Sequence, residues 1–137
     1  MLCSRIDHYG VVVRDIKKHI EKNLANIFPQ DAIGPLISDP LQMANVCFIY
    51  AENGCIELVE PHGKDSPIYE FVEKKPAGYH HICIEVENLD KALEICSVNG
   101  QITISPPKPA VAFGNRRIAF VVGADRLLWE LLEARQD

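Results

Sequence analysis

"DHYGVVVRDIKKHI" at residues 7–20 and "HHICIEVENLDKAL" at residues 80–93 overlay without a gap. His8 falls on His81, Val13 on Val86, Asp15 on Asn88 and Lys18 on Lys91, a constant offset of 73 residues. A second pair, "CIELVE" (55–60) and "LWELLE" (128–133), shares that offset and sets Glu57 on Glu130 and Glu60 on Glu133. Two separate segments agreeing on one offset mean that the chain holds two copies of one module.

Each copy opens with an alternating β-branched run, "VVVRD" or "ICIEV", and turns helical at a residue suited to N-capping, Asp15 or Asn88. Helical spacing predicts a buried stripe of Ile16, Ile20, Leu24 and Ile27 in the first copy. In the second, Leu89, Leu93 and Cys96 form the stripe and Gly100 ends the helix. Short strands follow: "NVCFIY" and "CIELVE" flank "AENG", whose Asn53-Gly54 is a hairpin signal, and "RRIAFVV" and "LLWELLE" flank "GAD". With a weaker strand before each pair, the order per module is β-α-β-β-β, an α+β fold. The modules are expected at 1–62 and 78–137 within a single 137-residue domain. Between them, Ser66-Pro67 reads as the N-cap and first position of a short helix, "SPIYEFVEKK", closed by Pro76 and Gly78. "SPPKPAVAFGN" (105–115) reads as a surface loop, since its prolines forbid a central strand.

Composition narrows the function classes. A net charge of -5 gives no electrostatic reason to expect nucleic-acid binding. No apolar run approaches the roughly 20 residues that span a bilayer, and the N-terminus lacks the apolar centre of a signal peptide, so a cytoplasmic location is expected. Five cysteines, odd in number and without a CxxC pair, read as reduced core residues rather than zinc ligands or a disulfide framework.

Strand parity sorts the polar residues. On "HHICIEV", Ile82, Ile84 and Val86 share a face with His80, while His81, Cys83 and Glu85 share the other. The bulkier apolar face should meet the module's helix, so His8 and His81 point away from it. His80 is left to packing or hydrogen bonding, and His19 and His62 to the surface. The same parity places Glu57 and Glu130 opposite the helix-packed Ile56, Leu58, Trp129 and Leu131. A carboxylate inside an apolar strand is costly to bury unpaired, and each module offers one histidine at the matching position. Two histidines and two carboxylates make an N2O2 set for one divalent metal ion: Ni, Co, Mn, Fe or Mg, or Zn with expanded coordination. Coordination positions left open by four protein ligands suit catalysis.

These segments resemble the vicinal oxygen chelate superfamily, which includes glyoxalase I, methylmalonyl-CoA epimerase, extradiol dioxygenases and bleomycin-resistance proteins. The carriers are "IDHYGVVVRDI", "CIELVEPHGKDSPIYEFVEKK", "GYHHICIEVENLDKAL" and "RRIAFVVGADRLLWELLEA", essentially the whole chain. The resemblance implies two tandem βαβββ modules forming a curled mixed sheet around a metal-bearing cleft, commonly in homodimers. It also implies the ligands His8, Glu57, His81 and Glu130. The linker is most similar to that of methylmalonyl-CoA epimerases and of small bacterial glyoxalases. However, "VGADRLLWELLE" lacks the histidine and paired glycines usual in epimerases before the last ligand. Val12 stands where glyoxalase I has a glutathione-binding arginine.

The expected activity is proton transfer next to a metal-bound carbonyl, through an enediolate, on a small acyl thioester or α-oxo adduct. Methylmalonyl-CoA epimerase-like chemistry comes first and glyoxalase I-like lactoylglutathione lyase chemistry second. An Fe(II) dioxygenase and a non-enzymatic binding or resistance protein are the remaining alternatives. Glu130 is the expected base and Glu57 its symmetry mate. Glu85 is a further candidate on the His81 face, and Arg116 and Arg117 are candidates for meeting a CoA or glutathione anion.

Overall fold

The computed structural model describes residues 2–136. They form two compact units: one is Tyr9–His80, the other the chain up to His8 together with the chain from His81 onward. Strand β1 (Cys3–Val13) therefore contributes its first half to one unit and its second half to the other.

In the unit Tyr9–His80, β1 leads into α1 (Ile16–His19), β2 (Ile37–Asp39), β3 (Ala44–Ala51), β4 (Gly54–Pro61) and α2 (Tyr69–Glu73). The strands run in the order β2-β3-β4-β1, with β1 and β4 parallel and the others antiparallel. Asp15 caps α1 as its residue type predicts, its carboxylate accepting from the Lys18 amide at 3.0 Å. Glu60 accepts from the Ile16 amide at 2.8 Å, satisfying another of the free donors at the helix start. Val13, Ile16, Cys47, Ile49 and Leu58 form the core, with Ile20 and Leu24 packed against it.

Three local expectations are corrected here. Ile27 is 70% exposed rather than buried. After His19 the helix widens into a π-helical turn, Ile20–Leu24, which shifts the 3.6-residue period, and Asn26 then takes a φ of 66° that ends the stripe. The β3–β4 hairpin turns at Glu52-Asn53, because Gly54 is already paired with Ala51 in the ladder. Ser66 does not cap a helix: its carbonyl closes a turn with the Tyr69 amide at 3.0 Å, and α2 begins only at Tyr69. The helix ends at Glu73, where Arg14 donates to the carbonyls of Val72 and Glu73 at 2.7 and 3.3 Å.

In the other unit, β5 (Ala77–Val86), α3 (Leu89–Val98), β6 (Ile102–Ala110), β7 (Arg116–Val122) and β8 (Leu128–Glu133) give the strand order β1-β5-β8-β7-β6. Asn88 accepts from the Lys91 amide at 2.9 Å, the same cap at the same offset as Asp15 and Lys18. Gly100, at φ 87°, closes α3, and the following Gln101 amide returns to the Cys96 carbonyl at 2.9 Å. Val86, Leu89, Ala92, Ala119, Val121 and Leu131 bury the helix side of the sheet. The stretch read as a loop is in part a strand. Residues 102–110 pair with β7 as the outermost strand, the position that prolines tolerate, and register shifts fall between Thr103 and Lys108 where Pro106 and Pro107 lie. Among the described residues, no helix is long and apolar enough to cross a membrane.

The repeat persists into the register. Gly10 pairs with Glu57 and Cys83 with Glu130 in parallel ladders, while Phe48 and Phe120 face those glutamates from the antiparallel neighbours. Both carboxylates thus stand at one equivalent point of the module, on the face turned from the helix.

Candidate metal centre

Parity sends His8, His81 and Glu130 to one face of their sheet, and neighbouring side chains close around them. His8 is 0% exposed and Glu130 2%, so their polar atoms must be satisfied by protein or by an ion. The Nε2 atoms of His8 and His81 are 3.1 Å apart. Glu130 Oε2 lies 3.0 Å from His81 Nε2 and 3.8 Å from His8 Nε2. Donors held about 2.1 Å from one ion at right angles stand about 3 Å apart, so this spacing suits adjacent positions around a single divalent cation. The donor set of two imidazole nitrogens and a carboxylate oxygen likewise fits the borderline divalent metals.

The supports come largely from residues outside the expected site. Phe113 stacks on His8 with centroids 5.6 Å apart at 12°, and Phe120 meets His81 edge-on at 5.4 Å. Cys83, fully buried, donates from Sγ to Glu130 Oε1 at 3.5 Å. Burial, followed by the Glu130 charge, pushes its thiol well above the ordinary range, so it serves as a weak donor and not as a thiolate ligand. Of the five cysteines expected in the core, Cys47 and Cys83 are buried, while Cys3, Cys55 and Cys96 are half-buried. Asp7 Oδ2 lies 2.8 Å from His8 Nδ1, and its Oδ1 accepts from Arg5 at 2.8 Å. Burial works against ionisation of Asp7, but the hydrogen bonds from His8 and Arg5 outweigh it and hold the carboxyl below its ordinary value. Parity and repeat matching passed over Asp7 because its repeat mate is His80; the adjacency "DH" was the available signal. Phe113 was hidden in a segment read as loop.

The other expected residues are placed as follows. Glu57 is buried on β4, opposite Gly10 and Phe48, in the unit Tyr9–His80. Glu85 lies on the His81 side of β5 and is engaged by Arg116 at 3.0 Å and by the Ser4 hydroxyl at 3.0 Å. Arg116 also donates to the carbonyls of Phe113 and Glu133, and its guanidinium lies 5.8 Å from the Phe113 ring centre. Arg117 pairs with Glu133 at 2.8 Å and Asp90 at 3.3 Å. His80 packs edge-on against Phe71 at 5.2 Å, in keeping with the packing role expected of it.

The sequence profile of one family matches residues 7–120, a span that takes in His8 and His81 and stops short of Glu130. The chain belongs to the Glyoxalase/Bleomycin resistance protein/Dioxygenase superfamily. Within that superfamily it is 37% identical over 95 residues to a mitochondrial methylmalonyl-CoA epimerase of Mus musculus, covering 66% of this chain and 50% of that protein. The chain thus spans about half the length of the curated mammalian relatives it matches. It is 29% identical over 121 residues to an ethylmalonyl-CoA/methylmalonyl-CoA epimerase of Cereibacter sphaeroides, covering 88% of this chain and 89% of that one. A variant of Streptomyces coelicolor methylmalonyl-CoA epimerase, solved in complex with 2-nitronate-propionyl-CoA, shares the fold at TM-score 0.80 and 20% identity, over 96% of this chain and 95% of its own. The expected fold class, α+β with paired βαβββ modules, is that of the superfamily.

Proposed function

We propose that this superfamily member is a metal-dependent epimerase acting on a small acyl-CoA thioester, with methylmalonyl-CoA as the first candidate substrate. The observation that carries the reading is the convergence of His8 Nε2, His81 Nε2 and Glu130 Oε2 within 3.8 Å in a buried pocket of side chains. The epimerase relative matched over 88% of the chain supports the substrate class. His8, His81 and Glu130 hold the ion, and Glu57, the repeat mate of Glu130, is the proposed fourth ligand. A divalent ion held there would supply Lewis acidity beside a substrate carbonyl, making the adjacent carbon more acidic.

Glu130 takes the proton from that carbon and returns it, a role open to a carboxylate that is both buried and close to the reacting centre. Epimerisation requires an acid on the other face of the carbanion. Glu85 is committed to Arg116 and Ser4, so Glu57 is the better candidate. Binding of the anionic tail by Arg116 or Arg117 is the finer part of the proposal, and a substrate must then compete with Glu85 or with Glu133 and Asp90. The ion's identity, a cytoplasmic location and a homodimer complete it. The altered run "VGADRLLWELLE" favours a second reading, hemithioacetal isomerisation of the glyoxalase I type.

Metal analysis of protein purified without chelator or affinity tag, then proton exchange of methylmalonyl-CoA in D2O, tests the proposal. Metal-loaded protein should incorporate deuterium at the carbon next to the thioester. Bound metal without exchange, but with turnover of a glutathione hemithioacetal, would move the assignment to the second reading.

A further inference from the structure

The two histidines of the centre differ in what stands behind them. Asp7 precedes His8, whereas the repeat places His80 before His81, and His80 packs on Phe71 instead. Adjacent residues on a strand point to opposite faces, yet the Asp7 carboxylate reaches back to His8 Nδ1 at 2.8 Å. Its other oxygen is tethered at 2.8 Å by Arg5, two residues earlier and on the same side of β1. The carboxylate is 9% exposed, and a cation on one side and an imidazole on the other restrain it.

We infer that Asp7 is the positioning residue of the metal centre, fixing the tautomer of His8 and making it the pre-set ligand of the pair. This rests on the metal reading above. An ionised carboxylate only accepts hydrogen bonds, so the proton of neutral His8 resides on Nδ1 and its Nε2 presents a lone pair to the cluster. His81 Nε2 lies 3.1 Å from His8 Nε2 and 3.0 Å from Glu130 Oε2, and the residue before it is His80 where His8 has Asp7. The duplicated site thus has one ligand backed by a tethered carboxylate and one preceded by a histidine.

The test starts with 15N-histidine NMR of the metal-free wild type, which needs no variant. His8 should show the Nδ1–H pattern. In Asp7→Asn the single amide oxygen cannot serve both Arg5 and His8. If Arg5 keeps it, the amide group faces Nδ1 and reverses the tautomer, and Zn(II) affinity by dye competition should fall roughly 10- to 100-fold. The metal-free melting temperature should stay within a few degrees of wild type, and His80→Asn should leave affinity unchanged. An Nε2–H pattern at His8 in the wild type overturns the inference. So does an Asp7→Asn protein in which the amide group faces Nδ1 and both tautomer and affinity are kept. Wild-type protein that takes up no divalent ion refutes the metal centre itself, while the tautomer measurement still decides whether Asp7 governs His8.

Discussion

Glu130→Gln separates what the carboxylate does for the fold from what it does for chemistry. The glutamine keeps the shape, and its amide oxygen can accept from His81 Nε2 at the 3.0 Å now spanned to Oε2. Its amide nitrogen replaces the acceptor that Cys83 reaches at 3.5 Å, a long thiol contact of little worth. One weak hydrogen bond exchanged for another should change the stability of the metal-free protein by less than about 1 kcal/mol. The chemical step loses its base, which should slow deuterium incorporation by about 10² to 10⁴, or roughly 2.7 to 5.5 kcal/mol of barrier. The assay is mass spectrometry of methylmalonyl-CoA in D2O, at metal concentrations that saturate both proteins, since an amide is also the weaker ligand. Exchange within threefold of wild type at full occupancy would refute Glu130 as the base. A collapse of the melting temperature in the metal-free variant would refute the separation of roles.

Other outcomes follow from features already described. Leu89, 1% exposed in the core beneath α3, should cost about 2 to 5 kcal/mol when cut to alanine and lower the melting temperature by on the order of 10 °C, as read by calorimetry. A divalent ion at 100 times its Kd should add about 2.7 kcal/mol of stability; a chelator should remove that gain and His81→Ala should abolish it, with urea midpoints as the measure. Glu133 is held below its ordinary value, chiefly by hydrogen bonds from Arg117, so the folded state binds fewer protons than the unfolded one as pH falls below about 4.3. Its stabilisation is complete above that pH and fades as pH drops through the lowered folded value. The urea-midpoint gap between wild type and Glu133→Gln should therefore narrow between about pH 5 and pH 3.

The repeat made most of this architecture legible. One offset carried the caps Asp15 and Asn88, the parallel register of Gly10 with Glu57 and Cys83 with Glu130, and the shared face of His8 and His81. Such features depend on period and local chemistry, which a sequence displays directly. The rest depends on contacts between distant residues or on departures from ideal geometry. The π-helical turn after His19 adds backbone without altering the apolar pattern, so Ile27 looked buried. Phe113 stacks on His8 across more than a hundred residues of chain. Asp7 escaped because parity assigns a side chain to a face, while a carboxylate even near the middle of β1 can bend round to its neighbour. Glu85 looked like an open carboxylate until Arg116 and Ser4 closed on it.

The prolines of β6 matter to this protein at high concentration. An outermost strand exposes unpaired amides and carbonyls that can recruit a second chain, and here Ile102 and Ile104 are 67% and 56% exposed on it. Pro106, Pro107 and Pro109 cannot donate to an incoming strand, the register shifts beside them break its regular spacing, and Lys108 adds a charge. The segment therefore guards against aggregation. Replacing Pro106 and Pro107 with threonine would leave β7 and the cluster of His8, His81 and Glu130 in place while turning a blunted border into a template for fibrils.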